Sequence, residues 1–381
     1  MKHPIEENQQ LSQISDDISI SDLGSSSITQ SSFGSGSTEK MNLIKVAALF
    51  EYFAENGATV LDLQGKLVDK VEWLPLSLVK LSDLTEINLS KNEIMALPAN
   101  IGELKALLKF DIHSNQLINL PGSIGELLNL TYIDLHANRL KSLPDSFGNL
   151  VGLIFLDLSS NKFTQLPQSI GGLTSLEKLD LRSNELEELP CAIGSCISLL
   201  ELRVDFNFLK VLPETIGNLG SLKILTLRYN RVKNLPTTMG SLQSLEEVYL
   251  SFNELESIPE SLCSIIKLRK LDIGNNFVDL TSLPSSIGDL AMLEELDISY
   301  DQIKVLPGSF KFLCSLRVFH ADETPLVIPP RNVANMGAQA VVQYMAELKS
   351  SPDTLPNRIM PKKSGFWSCI LSCFCLNELL P

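Results

Sequence analysis

The hydrophobic and polar residues of the chain follow one pattern that returns every 23 residues between Leu84 and Met292. Each copy has the frame LxxLxLxxNxLxxLPxxIGxL, which residues 130–150 show clearly. The frame places an asparagine at Asn92, Asn115, Asn138, Asn161, Asn184, Asn207, Asn230, Asn253 and Asn276. A period this regular predicts stacked copies of one supersecondary unit, because a single copy has nothing against which to bury its apolar face.

Apolar and polar positions alternate at the start of each copy, which predicts a short strand with one buried face. Ile133 and Leu135 illustrate the residues that would be buried. The Leu-Pro pair that follows predicts a short helical turn, since proline suits the first turn of a helix, and Ile170 and Leu173 would face inward from it. The asparagine lies at the bend between the two, where its amide can bond to backbone groups.

This frame is the sequence form of a leucine-rich repeat. We therefore expect an α/β fold: a leucine-rich repeat solenoid shaped as a curved horseshoe, with a parallel sheet on its concave face and helical caps at both ends. The expected organisation is a disordered Ser-rich arm over 1–40, a capping helix over 41–57, about eleven full repeats and one partial repeat over 58–330, a second capping helix over 331–350 and a basic tail rich in cysteine and aromatic residues over 351–381.

The copies at the two ends depart from the frame. Lys66 replaces the asparagine near the N-terminus, and Asp301 and Thr324 replace it in the last two copies. Apolar residues at helical spacing predict one helix from Met41 to about Ala54 and another from Asn332 to Leu348. These helices would cover the apolar edges that the terminal copies of a solenoid leave open.

Both terminal segments carry candidate modification sites. Ser15, Ser19 and Ser21 lie beside acidic residues, so the arm is either a phosphorylation target or a solvated tail. The tail has basic residues followed by Cys369, Cys373 and Cys375, which are candidate S-acylation sites. The alternative is that the tail packs on the solenoid or is frayed; it is too short to cross a bilayer as a helix.

The composition of the chain limits which classes of partner and which cellular compartment are expected. A net charge of −14 argues against non-specific binding to nucleic acid or to an anionic membrane through the body of the protein. The seven cysteines show no regular pairing and no CxxC motif, which indicates reduced thiols in an intracellular compartment. We expect a cytoplasmic monomer with a protein partner and no cofactor, and contact with the plasma membrane through the tail alone.

The sequence contains no P-loop, nucleophile-elbow, HExxH or kinase motif, so we do not expect an enzyme. His113 and His136 occupy equivalent positions in adjacent copies, about 5 Å apart at strand spacing, with Asp111 and Asp134 nearby. A metal site there is one interpretation, and exposed histidines on a polar column are the other, which we take as the default.

The exposed strand positions form a column whose chemistry changes along the chain. It begins with asparagine and four aspartates, from Asn88 to Asp180, and Arg203, Thr226 and Tyr249 then interrupt it. Arginine and aromatic side chains are enriched in binding hot spots, so we predict a partner-binding surface there; Phe206 and Phe252 could instead cover the strand ends. The predicted surface contains Arg182, Arg203, Phe206, Phe208, Arg228, Tyr229, Arg231, Tyr249 and Phe252.

The 23-residue LPxxIGxL form resembles the intracellular leucine-rich repeats of Ras-group scaffolds. The closing segment, with Leu326, Pro329, Pro330 and Val341 followed by Tyr344-Met345, is similar to the end of the same group. Together with the serine-rich arm, the chain most resembles the plant intracellular Ras-group-related LRR proteins. It departs from their pattern at 322–324, where the group commonly has a Gly-Asn pair, and in its tail motif.

This resemblance implies a non-enzymatic scaffold or adaptor that binds a signalling protein, for which a small GTPase is one hypothesis. The alternative from a different class is a regulatory or inhibitory subunit that docks on an enzyme without GTPase involvement. The two hypotheses differ in whether partner binding depends on the guanine nucleotide.

Overall fold

The computed structural model describes residues 42–67, 74–277 and 280–348. The chain divides into two compact units, residues 1–185 and 186–381. The predicted arm over 1–40 and the predicted tail over 351–381, with Cys369, Cys373 and Cys375, lie outside the described residues.

Each unit contains short parallel strands, one from every repeat. The strands of the first unit are β1 (Val60–Asp62), β2 (Glu86–Asn88), β3 (Lys109–Asp111), β4 (Tyr132–Asp134), β5 (Phe155–Asp157) and β6 (Lys178–Asp180). Those of the second are β7 (Glu201–Arg203), β8 (Ile224–Thr226), β9 (Glu247–Tyr249), β10 (Lys270–Asp272), β11 (Glu295–Asp297) and β12 (Val318–His320). Within each unit, strands that follow one another in sequence pair in parallel, so that Ile133 lies beside Leu156 and Leu225 beside Val248. The predicted leucine-rich repeat fold is confirmed.

The segment that leads from each strand back to the next, here called the return segment, contains a 3₁₀-helix. The helical turn that the sequence predicts is therefore a 3₁₀-helix. Their bounds are Leu76–Lys80, Ile101–Glu103, Gly122–Glu126, Asp145–Asn149, Gln168–Gly172, Cys191–Ser195, Glu214–Asn218, Thr237–Ser241, Glu260–Ser264, Ile287–Asp289 and Gly308–Phe312. Proline precedes most of them as the N-cap residue, with extended backbone such as φ −69° and ψ 153° at Pro167. Segments this short suit the tighter 3₁₀ geometry.

The core of each repeat lies between its strand and its 3₁₀-helix. Ile133 and Leu135 of the strand side are 0% and 1% exposed, and Ile170 and Leu173 of a return segment are 1% and 0% exposed. Full burial of such a side chain stabilises the fold by about 1.5–3 kcal/mol. Repetition of this small core explains how each unit reaches stability without a single large core.

The asparagines connect each bend to the preceding repeat, as the sequence predicts. Nδ2 of Asn161 donates to the carbonyl oxygens of Leu135 and Leu158, both at 3.0 Å, and its Oδ1 accepts from the N–H of Leu140 at 3.0 Å. Asn161 is 4% exposed. One side chain thus satisfies backbone groups that would otherwise be buried without partners.

Backbone packing between return segments explains the recurrent glycine. A Cβ at Gly148 would lie 2.2 Å from the carbonyl oxygen of Ser169 in the next repeat. That separation is far inside van der Waals contact, so a side chain at this position would force adjacent repeats apart.

Helices lie at both ends of the repeats. Helix α1 (Leu43–Glu55) is capped by Asn42 and packs Val46 and Phe50 against the 3₁₀-helix Leu76–Lys80. The C-terminal segment, predicted as one helix over 332–348, is divided into α2 (Arg331–Ala334) and α3 (Ala338–Leu348). The division falls at Gly337, whose φ of +96° is incompatible with a continuous right-handed helix.

Candidate partner-binding surface

The residue before the asparagine position adopts a left-handed backbone in every repeat from Lys91 onward. Its φ lies between 53° and 61° at Lys91, Ser114, Ala137, Ser160, Ser183, Phe206, Tyr229, Phe252, Asn275, Tyr300 and Glu323. This conformation directs the chain off the strand and costs roughly 1–2 kcal/mol for a residue other than glycine. After Lys91 the first unit places serine or alanine there, whereas the second unit begins with three aromatic residues.

Those three side chains form a continuous stack, which we call the aromatic ladder: Phe206, Tyr229 and Phe252. The ring centroids of Phe206 and Tyr229 are 4.5 Å apart with an interplanar angle of 9°, and those of Tyr229 and Phe252 are 4.2 Å apart at 8°. Phe206 is 53% and Tyr229 43% exposed. The ladder therefore keeps a large aromatic area open to solvent in spite of an unfavourable backbone conformation.

A second row of exposed side chains follows the asparagines. Phe208 is exposed, and the guanidinium carbon of Arg231 lies 4.8 Å from the centroid of its ring. Phe277 is also exposed and meets Phe252 edge-on, with centroids 6.1 Å apart and an angle of 64°. This row extends the aromatic surface across neighbouring repeats and adds a positive charge to it.

Arg228 and Tyr249 lie beside the aromatic ladder: Tyr249 ends β9, and Arg228 directly precedes Tyr229. The guanidinium carbon of Arg228 lies 4.1 Å from the centroid of the Tyr249 ring, and its Nε donates to Oδ2 of Asp272 at 3.1 Å. The Tyr249 hydroxyl donates to Oε2 of Glu247 at 2.7 Å. Burial, followed by this hydrogen bond to Glu247, raises the pKa of Tyr249 above its usual range. Both side chains are therefore held in fixed positions before any partner binds.

Acidic neighbours also fix the remaining predicted arginine of the second unit. The guanidinium of Arg203 binds the carboxylate of Glu201 on the same strand. Asp205 accepts from the Thr226 hydroxyl at 2.6 Å and from the N–H of Arg228 at 2.8 Å. Sequence reasoning placed these arginines correctly on the strand face, yet it did not reveal that Arg203 and Arg228 are paired within the protein.

Arg182, the other residue of the predicted surface, belongs to the first unit. Its Nε donates to both carboxylate oxygens of Asp180, and its terminal nitrogen lies 2.6 Å from Oδ2. Eight of the nine predicted residues thus lie in the second unit, and Arg182 lies in the first.

Sequence reasoning missed two aromatic residues near this surface. Phe277 and Tyr300 are each 47% exposed and have positive φ. Tyr300 stands directly before Asp301, which occupies the asparagine position. An alignment of the copies on the asparagine would have marked both, since Tyr300 precedes that position as Phe206 does and Phe277 follows it as Phe208 does.

Within the described residues, one further group has the side chains of a metal site. His113, Asp134 and His136 offer ligand atoms that all lie within 4.8 Å of one another, on the strands and bends of the first unit. The described helices include none with the length and apolar character needed to pass through a bilayer.

Comparison with known families identifies the repeats independently. A model described as a leucine-rich repeat region matches residues 145–223, a leucine rich repeat model matches 197–255 and 220–277, and another matches 129–150. With the parallel strands and the asparagine bonds, these matches define the chain as a leucine-rich repeat protein.

Over short segments the chain is similar to plant intracellular Ras-group-related LRR proteins, in agreement with the resemblance noted in the sequence. It is 64% identical over 103 residues to plant intracellular Ras-group-related LRR protein 4 of Arabidopsis thaliana, a match that covers 27% of this chain and 19% of the relative. It is 60% identical over 58 residues to plant intracellular Ras-group-related LRR protein 5 of Oryza sativa subsp. japonica, covering 15% of this chain and 11% of the relative. These matches therefore span less than a fifth of either relative.

Solved structures agree on the fold. The chain resembles one in the Toll–Spatzle complex of Drosophila, with a TM-score of 0.61 and 26% identity over 70% of this chain and 37% of that one. It also resembles one in the PEPR1–AtPEP1 structure, with a TM-score of 0.55 and 25% identity over 67% of this chain and 40% of that one. The class and its relatives are consistent with a protein-interaction scaffold.

Proposed function

We propose that the protein is an intracellular scaffold or adaptor that binds a signalling protein through the aromatic ladder and the arginines beside it. The observation that carries the proposal is the stack of exposed Phe206 and Tyr229 with half-buried Phe252 in left-handed backbone. The first unit shows that serine fills the same position in Ser114, Ser160 and Ser183. The aromatic residues are therefore not required by the turn itself.

Physical chemistry supports a protein partner for this surface. Aromatic rings and arginines are enriched in the centres of protein interfaces because each buries a large area at a small cost in conformational entropy. Here the costs are lower still, since stacking and ion pairs already restrict Tyr229, Arg228 and Tyr249. Arg231, exposed above Phe208, offers a positive charge for a carboxylate of the partner.

We propose a small GTPase as the partner class to test first, on the basis of homology to proteins named Ras-group-related. A folded GTPase matches a surface that extends over several repeats, which a small metabolite would not fill. Independence of binding from the nucleotide would favour the alternative, a regulatory or inhibitory subunit on another enzyme.

The test compares the wild-type chain with a triple variant, Phe206→Ser, Tyr229→Ser and Phe252→Ser, in affinity purification from plant cells. Tyr132→Ser with Phe155→Ser is the matched control, because these rings also stack, at 4.5 Å and 5°, on the strand face of the first unit. We expect the triple variant to lose the principal partner and the control to retain it. Equal recovery with all three proteins would refute the proposed surface.

Loading the same extracts with GDP or with a non-hydrolysable GTP analogue separates the partner classes. A GTPase partner should be recovered in amounts that differ between the two nucleotides, since its switch segments change with the γ-phosphate. A partner recovered equally with both nucleotides would refute the GTPase hypothesis while leaving the surface itself supported.

A further inference from the structure

The first unit contains two stacked histidines that the partner-binding surface does not use. The rings of His113 and His136 have centroids 4.4 Å apart and an interplanar angle of 10°. Nδ1 of His113 lies 2.7 Å from Oδ1 of Asp111, and Nδ1 of His136 lies 2.7 Å from Oδ1 of Asp134. Each imidazole thus bonds to the aspartate two residues earlier, on the same face of its strand.

Asp134 connects the two histidines. Its Oδ1 contacts His136, while its Oδ2 lies 3.9 Å from Nδ1 of His113 in the preceding repeat. Two ring nitrogens and one carboxylate therefore converge from adjacent repeats, within 4.8 Å of one another. Ligand atoms around a tetrahedral zinc ion are about 3.3 Å apart, given metal–ligand distances of about 2.0–2.1 Å, so these side chains must rotate to bring their ligand atoms closer together.

From this geometry we propose that His113, Asp134 and His136 bind a divalent transition-metal ion of the zinc, cobalt or nickel type, with Asp111 beside them. Imidazole nitrogens with a carboxylate form a ligand set that suits these ions, whereas calcium and magnesium prefer oxygen ligands alone. Each neutral imidazole would bind the ion through the ring nitrogen that carries no proton, and its one proton would remain on the other ring nitrogen. A tetrahedral ion with three protein ligands keeps a fourth position for water or for a partner side chain.

The surroundings favour a cation at this place. The side chains of Asp111 and Asp134 are 16% and 11% exposed, so solvent screens their charges incompletely. A bound dication would neutralise this pair of carboxylates.

The ligand residues end or directly follow paired strands, but the two imidazole rings must rotate before one ion can bind both. Asp111 and Asp134 end β3 and β4, which pair in parallel, and each histidine follows two residues later. Because the rings are almost parallel, one ion cannot lie in both ring planes until they rotate apart. The His136 side chain is 34% exposed, which leaves space for that rotation. Loss of the ring stack is therefore a specific mark of binding.

The experiment uses the full chain and Co²⁺ alone as the probe, with Zn²⁺ as competitor. Tetrahedral Co²⁺ absorbs in the visible range, and ligation by cysteine adds a sulfur charge-transfer band in the near ultraviolet that histidine and aspartate do not give. We expect a visible Co²⁺ band that Zn²⁺ abolishes. The affinity for Co²⁺ should fall by about tenfold or more in His113→Gln, His136→Gln and Asp134→Asn. The control variants His320→Gln and Asp157→Asn should bind Co²⁺ with the affinity of the wild type. His320 is exposed on β12, and Asp157 is the equivalent of Asp134 in the next repeat.

A second readout remains decisive if a variant fails to fold. Zn²⁺ added to the wild-type chain should shift the Nδ1 and ring-proton NMR signals of His113 and His136 and leave those of His320 in place. The absence of a visible Co²⁺ band at millimolar metal, a band that survives in the His113→Gln/His136→Gln double variant, or unmoved signals of the two histidines would each overturn the proposal.

Discussion

Asp301 accepts a hydrogen bond at Oδ1 from the backbone N–H of Asn276, at 2.9 Å, in the position that asparagine fills in the preceding repeats. The residue is 0% exposed, and its other oxygen, Oδ2, is buried without a hydrogen-bond partner. An asparagine would present an NH₂ group there, as Asn161 does to Leu158. Burial raises the pKa of Asp301 to about 8, which favours the protonated carboxyl group, the only form of this side chain that can donate a hydrogen bond as an amide does.

Asp301→Asn should therefore stabilise the second unit and remove a dependence on pH. The Asp301 carboxyl group has an ordinary pKa of 3.8 in the unfolded chain and a pKa of about 8 in the folded chain. Between these two pH values the folded state binds more protons than the unfolded state. The free energy of unfolding therefore falls as the pH rises through that window. Above pH 8 we expect Asp301→Asn to be more stable than the wild type by about 1–3 kcal/mol, measured by urea denaturation across the pH range.

Asp289→Asn is the control for this prediction, because it removes the same charge from an exposed site on a neighbouring 3₁₀-helix. It should leave the pH profile of the wild type in place. Destabilisation by Asp301→Asn at alkaline pH would show that the carboxylate, not the acid, is the form that the fold requires.

The reverse substitution tests the asparagine bonds. In Asn161→Asp, the carboxylate cannot donate to the carbonyl oxygens of Leu135 and Leu158, and a charge is buried. We expect a loss of about 3 kcal/mol or more at neutral pH, partly recovered in acid as the group is protonated. Asn149→Asp, at an exposed residue of the preceding return segment, should change the midpoint of denaturation little. Similar midpoints for the two variants would contradict the assigned role of Asn161.

The aromatic ladder should contribute little to stability. In Tyr229→Asn, two ring contacts worth about 0.5–1.5 kcal/mol each are lost, whereas asparagine tolerates the left-handed backbone that costs tyrosine about 1–2 kcal/mol. The two effects oppose each other, so the free energy of unfolding should stay within about 1 kcal/mol of the wild type. Tyr132→Asn, which removes a stacked ring from a regular strand, should destabilise more. A large loss of stability in Tyr229→Asn alone would make the ladder a structural element.

The tail gives a separate prediction about location, since lipid and basic charge together attach a protein stably to a membrane. We propose that the body is cytoplasmic and that acylation of Cys369, Cys373 and Cys375 holds part of the population at the plasma membrane. Fractionation should show membrane association that hydroxylamine releases and that the triple cysteine-to-serine variant lacks. Identical fractionation of both chains would exclude acylation of these residues as the cause.

Much of the fold could be predicted because its interactions repeat. Ile133, Asn161 and Gly148 each occupy a position that returns every 23 residues, and one physical reason applies to every copy. The helix division at Gly337 could not be seen in the same way, because the apolar spacing continues across it. Asp301 was recognised as a replacement, but the complete burial that raises its pKa could not be inferred from the repeat pattern.

The surface was predictable in composition but not in arrangement. The change from Ser183 to Phe206 at one repeat position pointed to a surface of different chemistry. The stacking of Phe206 on Tyr229 requires the left-handed backbone and the strand spacing together, neither of which one copy of the repeat specifies. Pairing of Arg203 with Glu201 likewise depends on side-chain rotamers.

Hydrogen exchange of the protein with and without its purified principal partner tests the central claim most directly. If the aromatic ladder and its arginines form the interface, binding should slow exchange at residues 203–208, 226–231 and 249–254. Exchange in the 3₁₀-helices Glu214–Asn218 and Thr237–Ser241 should stay unchanged. Protection confined to those 3₁₀-helices, with the ladder segments exchanging at their free rates, would contradict the proposed surface.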